Sequence, residues 1–127
     1  MLKIPKVSLE PVRYVLRQSD PSGETYVVVR PATMVDEARR LQMLLDGSES
    51  ILNINVIAVE LYLTLQESNI LDEEGNILLD PSLPFEEFLQ RMTAVWRYNP
   101  TAVQELHEAV LQANPQWRLE GNVEGNS

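Results

Sequence analysis

The sequence predicts an α+β protein, mainly α: an N-terminal β-hairpin, then about four helices, with a small acidic hairpin turn near residues 69–80. Three observations carry this. "RYVLRQ" (13–18) and "TYVVVR" (25–30) are strand-like and flank a loop holding Pro21 and Gly23. From Thr33 onward, apolar residues recur at helical spacing behind helix-starting residues. "NILDEEGNILLD" (69–80) sets two short apolar pieces around an acidic turn containing Gly75.

Taken in order, the second strand ends at Arg30-Pro31, a stiffened corner. Thr33 follows as an N-cap with Asp36 three residues on, so the pair has the spacing of a capping box. Acidic Asp36 and Glu37 fall in the first turn, where the helix dipole favours them, and Gly47 supplies a stop after "RRLQMLLD". The run at 49–68 is ambiguous. Val59, Leu61, Leu63 and Leu65 alternate with Glu60, Tyr62, Thr64 and Gln66, as in a strand. Yet about twenty residues without Gly or Pro suit a buried helix better. We expect a helix over 49–67, with Asn53, Glu60, Thr64 and Glu67 on one narrow polar stripe.

In "SLPFEEFLQRMTAVW" (82–96), Phe85, Phe88, Leu89, Met92 and Trp96 recur at helical spacing after Pro84. Asn99-Pro100 forms an N-cap and first-turn proline for a last helix with Val103, Leu106, Val110 and Leu111 as its apolar face. Asn114-Pro115 ends it. The expected organisation is one domain over 1–115, with a flexible tail over 116–127.

Composition removes several function classes. The chain of 127 residues has 44% hydrophobic side chains, enough to bury a core. It has no cysteine, which excludes disulfides, thiolate metal sites and Cys nucleophiles and points to a cytosolic protein. No apolar run reaches the roughly 18 residues of a membrane span, and the N-terminus lacks the apolar core of a signal peptide. Net charge is −9: five basic and three acidic residues over 1–30, two and six over 31–69, three and ten over 70–127. That balance repels phosphate backbones, so no nucleic-acid partner is expected. It favours solubility, or an acidic surface offered to a basic or sticky protein partner.

No catalytic, cofactor or metal site is expected. The single histidine, His107, has Gln104 and Leu111 as helical neighbours, neither of them a metal ligand, and reads as a surface residue. In the acidic turn, a calcium loop with Gly75 at its sixth position would place Ile70 first and Pro81 twelfth, where oxygen ligands are required. Neighbouring carboxylates (Glu73-Glu74, Glu86-Glu87) come without the apolar pocket that acid catalysis needs. The residues singled out for partner binding are aromatic: Trp96, Tyr98 and Trp117, of types enriched at interface hot spots. The competing reading places Trp96 in the core and folds Trp117 back onto the domain.

The "RPAT" corner (30–33), the acidic "DEEGNILL" turn and the closing helix "NPTAVQELHEAVLQAN" share an order with a known group. Across roughly 25–114 the chain resembles the tail assembly chaperones of long-tailed bacteriophages, in which an "RP-x-T" corner and a "V-x-x-L-x-x-x-V-L-x-x-N" helix recur. The β-like run at 54–65 and the segment "PQWRLEGNVEGNS" depart from that pattern. The resemblance implies a non-enzymatic helper in tail morphogenesis, in the cytoplasm of the bacterial host cell. Its partners would be the aggregation-prone tape-measure protein and the tail-tube subunits, and a longer frameshifted form is usual. Self-association stays open. So do two other classes: an acidic inhibitor or decoy of a nucleic-acid-binding protein, and a small connector subunit of the virion.

Overall fold

A computed structural model describes residues 1–4, 9–46 and 53–118. The architecture is α+β and mainly helical, as the sequence predicts. Strands β1 (Val12–Val15) and β2 (Tyr26–Val29) are followed by helices α1 (Met34–Asp46) and α2 (Asn53–Thr64). Strand β3 (Leu65–Ser68), helices α3 (Phe85–Tyr98) and α4 (Pro100–Ala113), and a 3-10 turn at Pro115–Trp117 complete it. The expected stop at Gly47 and the stretch 49–52 of the expected long helix lie outside the described residues.

The hairpin is one strand wider than expected. β3 pairs antiparallel with the far edge of β2, giving the order β1-β2-β3. The helix predicted to run to residue 67 therefore stops at Thr64. The reason is Arg30: its backbone N–H donates to Thr64 O at 2.9 Å and its guanidinium to Leu63 O at 2.6 Å. The last carbonyls of α2 are thus taken by β2 rather than by a further helical turn, and the chain leaves extended. Gln66 is accommodated by a bulge, since Val28 pairs with Glu67 while Val29 pairs with Leu65.

Val27 and Val29 point from the sheet into the core, where α2 is the central helix. Ile57, Ala58, Val59, Leu61 and Leu63 are all buried on it, and so are Glu60 and Thr64 of the anticipated polar stripe. Thr64 satisfies its hydroxyl on Glu60 O at 2.7 Å. Tyr62 sets its ring edgewise to Phe85 and Phe88 and donates its hydroxyl to Leu83 O at 2.6 Å. This fastens the start of α3 to α2.

The local punctuation is where the sequence puts it. Thr33 Oγ1 accepts from Asp36 N–H at 3.1 Å, and Asp36 Oδ2 accepts from Thr33 N–H at 2.8 Å, a reciprocal capping box. Asn99 closes α3 by donating its N–H to Val95 O, and opens α4 by accepting from Ala102 N–H at its side chain. In the acidic turn Leu71 bridges to Ile77, Asp72 Oδ1 accepts from the N–H groups of Glu74 and Asn76, and Gly75 takes φ 85°. The β1–β2 loop is pinned from a distance, because buried Glu105 of α4 accepts from Gln18 N–H, Ser19 N–H and Ser19 Oγ.

Residues 119–127 lie outside the described residues. The first residues of the expected flexible tail are ordered: Pro115–Trp117 form a 3-10 turn and Trp117 is buried. The cause is the hydrogen bonding of Asn114, which is fully buried. Its Oδ1 accepts from Ala32 N–H at 2.7 Å, and its Nδ2 donates to Arg30 O and Val110 O at 3.3 Å. One amide thereby ties the "RPAT" corner to the end of α4. Asn114→Ala leaves these backbone groups without their partner and is expected to cost about 2–3 kcal/mol in urea unfolding. A loss under about 0.5 kcal/mol would remove this side chain from any organising role.

Candidate functional site, an apolar pocket with a buried carboxylate

α4 presents Pro100, Val103, Gln104, His107 and Leu111 along one face, at helical spacing. Opposite stand Ile54, Ile57 and Glu60 of α2, with Arg40 of α1 and the rings of Trp96 and Trp117 at the sides. Together they enclose a pocket of about 420 Å3. Its walls are mainly apolar and its few polar groups converge, which is the usual make-up of a small-ligand site.

Glu60 is 1% exposed. Arg40 meets Glu60 at one oxygen: Nε lies 2.9 Å and Nη2 2.8 Å from Oε2. Oε1 is buried and accepts no hydrogen bond among the described residues. His107 Nε2 stands 3.9 Å from that oxygen, beyond hydrogen-bond reach. Burial raises the Glu60 pKa above the ordinary carboxylate value, Arg40 opposes the shift, and the charge of Glu37 adds to it. Burial also lowers the His107 pKa, which Glu108 opposes and Arg118 assists. Near neutral pH the imidazole is therefore uncharged.

Trp117 is fixed by three contacts. Its Nε1 donates to Glu37 Oε1 at 3.0 Å, the neighbouring Gln116 amide donates to Glu37 Oε2 at 3.2 Å, and the Arg40 guanidinium sits 4.9 Å from the ring centroid. Of the three aromatic residues singled out in the sequence, the pocket brings together Trp96, 53% exposed at its edge, and Trp117, buried in its wall. Tyr98 is elsewhere. It is 85% exposed beside a second groove, floored by Leu16, Ile70 and Leu78 and edged by Asp20, Glu24, Asp72 and Glu73.

Sequence reasoning missed Arg40, Glu60 and His107. His107 is not the plain surface residue expected: its side chain is 36% exposed and faces the pocket. The available signal was Glu60 itself, a charge inside a run too apolar to have a solvent face.

A second surface feature lies on α1. Its inward side carries Asp36, Arg40, Met43 and Leu44, two of them charged and ion-paired, while Met34, Ala38, Leu41 and Leu45 face outward. Met34, Leu41 and Leu45 are 84%, 57% and 79% exposed. The helix is amphipathic with its apolar side turned out.

Fold and site together define a mainly helical α+β protein with an apolar pocket around Glu60 and His107. Among the described residues no helix is long and apolar enough to cross a membrane, and no group of three or more His, Cys, Asp or Glu could hold a metal ion. Comparison with models of protein families, with curated proteins and with solved structures finds no match.

The lowered His107 pKa has a consequence for stability. The folded chain binds fewer protons than the unfolded chain between the folded value and the ordinary 6.5. The contribution is therefore full above pH 6.5 and is lost as pH falls through the folded value. Urea midpoints measured across this window should fall toward acid in the parent protein and fall less in His107→Asn. Burial of Glu60 acts with the opposite sign in both proteins, so the difference between them isolates His107. An NMR titration placing His107 at or above 6.5 would contradict this assignment.

Proposed function

We propose that this protein is a non-enzymatic assembly chaperone that covers apolar helical surface on a client. In keeping with the resemblance to phage tail assembly chaperones, the client is the tape-measure protein, held soluble for delivery to tail-tube subunits in the bacterial cytoplasm. The observation that carries this reading is the inverted α1. Met34, Ala38, Leu41 and Leu45 follow one another at steps of four, three and four, the spacing of a helix seam that takes up another helix by knobs-into-holes packing. Outward placement of such a stripe serves association rather than folding. Exposed Trp96 and Tyr98 on α3 add aromatic anchors of the hot-spot type. The net charge of −9 keeps both the free protein and its complex soluble.

A second reading has its own observation. The groove beside Tyr98 sets four carboxylates around an apolar floor, a surface complementary to a basic segment, as an acidic decoy of a nucleic-acid-binding protein would require. Salt separates the two. Apolar coverage survives moderate salt, whereas binding through exposed carboxylates weakens with screening.

Co-expression with the tape-measure protein of the same genome should move that protein into the soluble fraction. Leu41→Ser combined with Leu45→Ser should leave folding stability within about 0.5 kcal/mol, since both side chains are exposed. The same pair should at least halve the soluble client. Unchanged solubilisation by the double variant would dismiss α1 as the client surface. If the stripe instead seats a second copy, sedimentation of the parent will show a dimer that the double variant lacks.

A further inference from the structure

We propose that the pocket between α1, α2, α4 and the Pro115–Trp117 turn binds a primary ammonium group carried on an apolar stem. This does not depend on the chaperone reading; it rests on the pocket alone.

The demand for a donor comes from Glu60. A carboxylate oxygen that is buried and accepts nothing among the described residues is costly, and it is relieved by a donor entering from the pocket. Arg40 does not meet that need, because its two contacts to Glu60 fall on Oε2. The second acceptor is His107. An imidazole that is neutral near pH 7 can carry its proton on Nδ1 and offer Nε2 as an acceptor. Nε2 and Glu60 Oε1 are 3.9 Å apart, too far to bond each other. A single nitrogen placed at ordinary hydrogen-bond distance from both would see them at an angle of about 80–90°. That is close enough to the tetrahedral spread of an ammonium for two of its N–H bonds to engage both acceptors. Gln104 lines the same pocket and carries a carbonyl for the third.

Charge selects the cation. Arg40 offsets the charge of Glu60, and the carboxylate of Glu37 stands near enough to act on Glu60 as a further negative charge, which leaves an excess of negative charge. An alcohol or amide would satisfy Oε1 without answering that excess. The apolar stem is dictated by the walls, to which Ile57, Val103, Leu111 and both tryptophan rings contribute. Two sources share this chemistry: a free alkylamine, and the side chain of a lysine on another protein.

Both tryptophans of the chain line the pocket, so intrinsic fluorescence reports its occupancy. The full chain is titrated at pH 7 with n-pentylammonium, with Nα-acetyl-lysine N-methylamide, and with 1-pentanol as the neutral match. The expected result is a saturable change with one or both ammonium compounds at concentrations where 1-pentanol produces none. The tighter of the two identifies a free amine or a lysyl side chain as the fitting occupant. Glu60→Gln should weaken ammonium binding about tenfold or more. Should that variant fail to fold, His107→Leu, at a partly exposed position, should weaken it several-fold. Equal response to 1-pentanol, no saturation by either ammonium compound, or undiminished binding in folded Glu60→Gln or His107→Leu would overturn the proposal.

Discussion

Arg30 is the residue through which the sheet and the helices are joined. Its N–H and guanidinium hold the last carbonyls of α2, its guanidinium also forks onto Asp36 at 2.6 and 3.2 Å, and its own carbonyl accepts from Asn114. Burial works against the Asp36 carboxylate. The hydrogen bonds from Arg30 and Thr33, with the guanidinium charge, outweigh it and hold the pKa below the ordinary value. Lysine would not substitute for Arg30, because a point charge cannot span a carboxylate and a carbonyl in the plane of one fork. The corner at Pro31 fixes direction, but the guanidinium fixes position.

That junction decides how α1 lies. Asp36 is drawn inward at its first turn and Arg40 one turn later, so the side of α1 against the core carries two charges beside Met43 and Leu44. Buried ion pairs are weak sources of stability, since desolvation offsets most of their attraction. Their effect here is orientational: with two ion pairs directed inward, Met34, Ala38, Leu41 and Leu45 have only the outward direction left. An α1 turned by half a revolution would bury more apolar surface but would strand Asp36 and Arg40 away from Arg30 and Glu60.

What was legible in the sequence was local. The Thr33–Asp36 box, Asn99-Pro100, the stop at Asn114-Pro115 and the "DEEG" turn each depend on residues within a few positions of one another, and each stands where its spacing places it. The misreadings were all long-range. The helix-to-strand change after Thr64 is imposed by Arg30, 34 positions earlier, on a run whose alternation and length favoured opposite answers. Trp117 folds back onto the domain, one of the two readings the sequence left open, and the Glu37 that holds it lies 80 positions away, out of reach of a local pattern. Glu60 was assigned to a polar stripe because helical geometry says which residues share a face and not what that face meets. On a helix this apolar the stripe had to be internal, and a buried carboxylate needs a partner that pattern alone does not supply.

The pocket and the inverted helix have one origin in Arg40. Swung toward Glu60, its guanidinium takes one carboxylate oxygen and lies against the Trp117 ring, closing one wall of the cavity. The same inward swing is what leaves Leu41 and Leu45 on the outer face. Covering that outer face with a partner helix would restrict α1 and with it the wall that Arg40 forms. Occupation of the pocket would in turn fix Glu60 and Arg40, hence the setting of α1. The two surfaces proposed for recognition share one ion pair and are thereby positioned to influence each other's affinity, and such coupling acts equally in both directions.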